Sequence, residues 1–405
     1  MLNAKKNKMK RTLKWLVLPA LLLASCERLD DKIENYPDAG EPAPEAGVSL
    51  DALAEIFSEV PFGTDQMKEV HDAVVASSGN GYDEEYTIRD LFAAPGTGVG
   101  DDKLETKSPL RSYDLPLRDL LARTVRDRAA RTKAEGGDPE DPEAYLRALE
   151  TSDAQIYWPY YENWDGEELP VITFDPGDNS SSNVGYRLVE DAGGRRIEKV
   201  TVNEDMAMNT PVWVINRNDD AAYTSIDVLR KNDPDWGLGG GLGTKSDDGE
   251  KTLFLKDFKM LRNYDCWFRG ASEFFIKAGS VEDFKASTDA ELRLYTPTIN
   301  DFMLVVRRRM KGVVMPVNSV VVSQWTDQLE KIGFMMIEDD GGTMTSWKCS
   351  AVVKYNSKSY GFEVDLPLRR YDDIVWRGQL SRTYLTRYSG QRSRYGDVEI
   401  TFSLE

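Results

Sequence analysis

Histidine is almost missing from this chain: its 405 residues contain one, His71. A single imidazole rules out any intrachain site with two histidine ligands, and with it the His-Glu-x-x-His zinc pattern. A Ser-His-Asp or Cys-His nucleophile would have to recruit His71 itself. That residue stands between Val70 and Asp72 on a predicted helix, and no serine has a Gly-x-Ser-x-Gly setting. Basic residues are also in deficit, with 51 Lys and Arg against 69 Asp and Glu, a net charge of −18. Such a surface repels nucleic acid and anionic headgroups, which argues against a nucleic-acid partner. Cysteines number three. Long apolar runs are lacking too: the stretch Trp15–Ala24 falls short of the roughly 20 residues that a membrane span needs.

That short stretch is informative in its context. Six cations precede it (Lys5, Lys6, Lys8, Lys10, Arg11 and Lys14), and no acid occurs before Glu27. A basic start, an apolar centre and small residues before a cut read as a secretory signal over residues 1–25. The segment Leu23-Ala24-Ser25-Cys26 resembles the lipobox of bacterial lipoproteins. The resemblance implies cleavage before Cys26, a diacylglycerol on its sulfur and an acyl chain such as palmitate on its new amine. Several chains together make membrane attachment stable. Loss of the six cations leaves 45 bases against 69 acids, or −24. The charged mature start, Cys26 to Glu34, is loosely similar to the acidic export tags of surface lipoproteins in Bacteroidetes-type bacteria. By that resemblance the chain is expected in the cell envelope, at the outer membrane.

Residues 26–47 follow as an extended, proline- and acid-rich tether. Residues 48–154 read as helical. Ser49 and Thr64 are candidate caps, Leu117, Leu120, Leu121 and Val125 form a stripe, and Asp141-Pro142-Glu143 makes a further start. From residue 155 the apolar period becomes two. A small β unit over 155–230 includes a hairpin around Asp191-Ala192-Gly193-Gly194 and the buried run Val212–Ile215. A Gly-rich loop over 231–250 only faintly resembles a phosphate loop: Thr244 separates the last glycine from Lys245, so no nucleotide is expected. Residues 251–405 alternate clearly and predict an antiparallel β-sandwich, C2-like or similar, with a closed barrel as the alternative. The fold class expected is therefore α+β: a helical segment, then mainly antiparallel β. The ordering of tether, helical segment and β domains resembles lipobox-bearing cell-envelope lipoproteins of Bacteroidetes-type bacteria, and this brings no catalytic residues with it.

Three features carry candidate chemistry. The aromatic cluster of Trp158, Tyr160, Tyr161 and Trp164 would stack on sugar faces if exposed, or fill the junction between helices and β unit if buried. The acidic turn Glu338, Asp339 and Asp340, with the separate pair Asp372-Asp373 between two other strands, is a candidate calcium loop if sandwich loops gather at one edge, or else a polar turn. The stretch Arg307–Lys311 and the arginines at 377, 382, 387, 392 and 394 would form a positive face for an acidic partner, or guard strand edges. Cys266 and Cys349 can pair in an oxidising compartment or remain small buried hydrophobes. The function expected is non-catalytic binding of a protein or glycan partner through the β domains. The alternatives are a glycosidase-like carboxylate hydrolase of the envelope and a structural subunit of an envelope complex.

Overall fold

Ser49 opens the first helix, its hydroxyl accepting the Ala52 N–H at 3.5 Å. Helix α1 (Leu50–Glu59) buries Leu53, Ile56 and Phe57 on one stripe. Helix α2 (Thr64–Gly79) is capped by Gly63 rather than by Thr64. The Gly63 N–H donates to Gln66 Oε1 at 2.9 Å, and Thr64 is already helical. Strand β1 (Glu85–Thr87) and helix α3 (Ile88–Phe92) come next. Helix α4 (Leu117–Ala134) buries the predicted stripe, and α5 (Pro142–Glu150) starts where Asp141 accepts the Glu143 N–H at 3.1 Å. Pro142 costs nothing there, because the first turn leaves its N–H position without a partner anyway. The computed structural model describes residues 48–93, 113–191, 194–218, 223–233 and 250–405. The signal, Cys26, the tether, the loop 94–100 and the Gly-rich segment Trp236–Ser246 lie outside those residues.

Strands β2 (Ala154–Tyr157), β3 (Val171–Phe174), β4 (Ser182–Asp191) and β5 (Gly194–Asn203), helix α6 (Glu204–Ala207) and strand β6 (Val212–Arg217) follow. With β1 the strands form a sheet of order β1-β2-β6-β3-β4-β5, antiparallel except where β3 and β6 run parallel. Both faces of β6 are covered, which is why it reads as an unbroken apolar run. Alternation sends Trp213 and Ile215 into a core with Leu53, Phe57 and Leu121 of the helices, and sends Val212 and Val214 to the opposite face. The helical region 48–154 and the β unit 155–230 therefore share one interior. Gly47–Glu405 forms a single compact unit.

After helix α7 (Ile226–Asn232) come β7 (Lys251–Met260), β8 (Ser272–Ser280), α8 (Asp289–Leu292), β9 (Thr298–Val306) and β10 (Met315–Trp325). The chain then runs through β11 (Leu329–Glu338), β12 (Met344–Tyr355), β13 (Lys358–Arg369), β14 (Asp373–Ser381), α9 (Arg382–Arg387), β15 (Arg392–Tyr395) and β16 (Val398–Leu404). One sheet has the order β13-β12-β11-β8-β9, with β14 also paired to β11; the other has the order β10-β7-β16-β15. Leu255, Phe258, Phe274, Trp325, Phe334 and Val398 belong to one core drawn from both. This is the expected α+β architecture with a C-terminal pair of facing sheets, and no sheet of the described residues closes into a barrel.

The strands β8 and β11 depart from the expected single polar face, being buried along nearly their whole lengths. Gly279 and Gly333 are opposite one another on these strands, and Val364 and Cys349 are opposite one another on β13 and β12. A Cβ on Gly333 would lie 2.3 Å from Cys349 Sγ, and one on Gly279 would lie 2.4 Å from Val364 Cγ1. The missing side chains let the β12–β13 hairpin approach closely. Cys349 is thus packed against a glycine rather than a second cysteine, and both it and Cys266 are free thiols.

Candidate functional site

The connection between β7 and β8, residues 261–271, joins the two halves. Trp267 and Phe268 pack on the second face of the first sheet, against Tyr157, Val171, Val202, Val212 and Val214. Asn216 Nδ2 donates to the carbonyls of Phe268 at 3.1 Å and Arg269 at 2.7 Å, and Trp267 Nε1 donates to the Ser181 carbonyl at 3.0 Å. The Ala271 N–H donates to Asp83 Oδ2 at 3.0 Å.

Beside this connection the run Arg307–Arg309 turns toward the first half. Arg307 lies 4.0 Å from Glu84 and 3.9 Å from Glu162, and Arg309 pairs with Glu162. Arg308 is 10% exposed; its Nε and Nη2 donate to Glu204 at 2.8 and 3.2 Å and its Nη1 to the Asp265 carbonyl at 2.9 Å. Neither a positive face for a partner nor an edge guard describes these residues, since acids of the same chain engage them. The other arginines also meet groups of the same chain: Arg382 pairs with Asp327, Arg392 with Asp257 and Arg394 with Asp397, while Arg377 lies over the Trp347 ring and Arg387 over the Tyr388 ring; of these, Arg392 and Arg394 stand on the edge strand β15, where a guard would sit. Burial works to raise the Glu204 carboxyl, but the bond and charge of Arg308 outweigh it and hold that acid below its usual range. Glu84 is pushed up to about 8, by burial first and by Asp83 next, against the pull of Arg307.

Two members of the aromatic cluster are core and two pack at its margin. Trp158 is 1% exposed and Tyr161 is buried; Tyr160 and Trp164 are partly covered. Alternation at the end of β2 puts Trp158 in the helical core and Tyr157 in the junction core. The Tyr160 hydroxyl donates to Glu204 Oε1 at 2.8 Å, and the Trp164 Nε1 donates to the Glu168 carbonyl at 3.0 Å. With their rings buried, Trp158 and Tyr161 present no face to a sugar, and of the two readings given for the cluster the junction-filling one holds for this pair. His71 packs against Trp158, Tyr161 and Trp164 with ring centroids 5.3–5.7 Å apart, and burial lowers its pKa.

The acidic turn divides by strand parity. Glu338 closes the row Phe334, Met336 on β11, while Asp339 points the other way. Asp339 lies 3.2 Å from Arg369 Nη1 and its Oδ1 accepts the Gly341 N–H. Its companion Asp372 accepts the Arg369 N–H at 2.6 Å, and its own carboxyl is raised to about 7, chiefly by burial. Glu338 instead meets Asp265 and Glu273. One carboxylate oxygen from each of the three lies within 4.8 Å of the other two, and the residues are 0%, 8% and 5% exposed. Among the described residues, no donor group reaches either Glu338 oxygen or Asp265 Oδ2. Burial first, then the adjoining carboxyl and charge of Asp265, push Glu338 up to about 12. Asp340, exposed at the rim, is raised to about 6 by burial of its carboxyl, then by Asp265 and Asp373. Of the calcium-loop triplet read from the sequence, Glu338 belongs to this cluster, Asp340 flanks it and Asp339 is committed to Arg369. Asp265 and Glu273 were not anticipated; the one sequence signal for Glu273 is an acid opening the apolar run Phe274-Phe275-Ile276.

A separate groove of about 780 Å³ lies between α4 and the β4–β5 hairpin. Arg123, Arg131, Arg195 and Arg196 line it together with the acids Glu59 and Asp127 and the aliphatic Leu188 and Ile197. Among the described residues no helix is long and apolar enough to cross a membrane. No protein-family model matches this chain, and no curated protein and no solved structure matches it.

Proposed function

We propose that this chain is a lipid-anchored envelope lipoprotein that binds, without catalysis, a partner bearing carboxylates: an acidic glycan or an acidic protein segment. The anchor rests on Cys26 and the basic, then apolar, run before it. The binding rests on one observation: in a chain whose net charge is −18, four arginines outnumber the two acids, Glu59 and Asp127, along one groove, with Arg131 paired to Glu59 and Arg196 to Glu198. Arginine forks match carboxylate geometry, and a local positive patch on an acidic body steers an anion to one place. The groove is built from helix α4, the end of α1 and an edge hairpin.

Retention of the chain on immobilised polygalacturonate and on a polyglutamate column tests this at low and at physiological salt. The double variant Arg123→Glu with Arg196→Glu is expected to lose retention by ten-fold or more, with its far-ultraviolet dichroism unchanged. Equal retention by the variant and the parent chain sinks the reading. The rival, a carboxylate hydrolase, would draw its acids from Asp265, Glu273 and Glu338. Their burial leaves no room for a sugar ring between them, which favours the binding reading.

A further inference from the structure

Among the described residues, no cation forms an ion pair with Glu338 or Asp265 at the junction. Arg308 and Arg269 are the cations nearest Asp265, and both are engaged elsewhere: Arg308 with Glu204, and Arg269 with Asp175 at 3.5 Å. Glu338 is fully buried with both oxygens unpartnered, aimed into the cluster. A buried carboxylate without donors is costly, and cluster members survive when they share a proton or ligate an ion. The donor set is oxygen only, which suits a hard cation rather than zinc or copper. Ligand oxygens up to 4.8 Å apart match an ion sitting roughly 2.3–2.6 Å from each, the range of calcium. Magnesium, at about 2.0–2.1 Å, wants a tighter shell. Three carboxylates binding through both oxygens supply six contacts, the lower end of calcium's coordination.

We propose that Asp265, Glu273 and Glu338 bind one calcium ion, which fastens the 261–271 connection to the ends of β8 and β11. Asp265 belongs to the segment that inserts Trp267 and Phe268 into the first half, whereas Glu273 and Glu338 sit on neighbouring strands of the second. The ion therefore ties the inserted segment to the sandwich. Asp340 at the rim extends the negative field to solvent and marks the side of entry.

Calcium titrated calorimetrically into the full chain, after stripping with EDTA, is expected to bind at one ion per chain. The thermal midpoint is expected to rise by several degrees at about 1 mM calcium, and by less at the same magnesium concentration. Glu338→Gln and Glu273→Gln should each abolish both responses, while Asp339→Asn, on the opposite face of the turn, retains them. Hydrogen exchange on the unaltered chain provides a measurement that needs no variant: calcium should slow exchange within 261–273 and 336–340. Absence of heat and of a midpoint shift with calcium overturns the proposal. So does an unchanged calcium response in Glu338→Gln, or protection confined to other segments.

Discussion

Two sets of acids lie on either side of Arg308, and they are solved in opposite ways. Glu84, Glu162 and Glu204 of the first half face Arg307, Arg308 and Arg309, so each has a cation of the same chain within 4.0 Å. Asp265, Glu273 and Glu338 of the second half gather with Glu338 lacking any donor. The same arginine touches both sets, but it gives its charge to Glu204 and only a hydrogen bond to the backbone of Asp265. Charge balance within the chain therefore holds the two halves together on one side of the junction, and is left incomplete on the other.

The largest effect is expected from breaking the balanced side. Arg308→Ala leaves the half-buried Glu204 with the Tyr160 hydroxyl as its remaining donor, and should cost about 3 kcal/mol in urea unfolding, the low end of what loss of one partner of a buried pair costs. A loss below about 1 kcal/mol would mean that the contact is surface decoration. Glu69 tests the intermediate case, a buried acid with one backbone donor, the Leu117 N–H at 2.7 Å. Burial raises its pKa from 4.5 to about 7. An acid raised on folding stabilises fully below its unfolded value and loses that contribution as pH rises through the folded one. Stability should thus fall by on the order of 2–3 kcal/mol between pH 4.5 and 7.5, and Glu69→Gln should flatten that slope. The smallest effect belongs to the unbalanced side. In the ion-free chain Glu338→Gln replaces a group already pressed toward its neutral form, so its denaturation midpoint should shift by less than that of any substitution above.

Local structure was largely legible from sequence, because its causes are local. The Ser49 and Asp141 caps, the stripe from Leu117 to Val125, the hairpin at Gly194 and the buried run of β6 all follow from spacing and side-chain type. Gly63 displaced Thr64 as a cap because Gln66 could reach back to its N–H, a choice that composition does not reveal. Strand β14 was missed because Arg377, Gly378 and Gln379 interrupt its alternation. The carboxylate cluster was half visible at Glu338. Its partners Asp265 and Glu273 lie 73 and 65 positions earlier in the chain, and only the pairing of β8 with β11 brings strand ends from such separations together. Arg307–Arg309 read as a surface charge run because nothing in their neighbourhood names Glu84, Glu162 or Glu204, all far away in sequence.

The wedge of Trp267 and Phe268 has a consequence for the order of synthesis. A ribosome delivers β2, β3 and β6 before it delivers that pair, with β6, the last of them, ending fifty residues ahead of Trp267. Until then Val171, Val212 and Val214 make a greasy strip with nothing over it, the kind of surface that holdase chaperones grip. The first half can thus be assembled early, but it cannot be finished until the second half has begun to emerge.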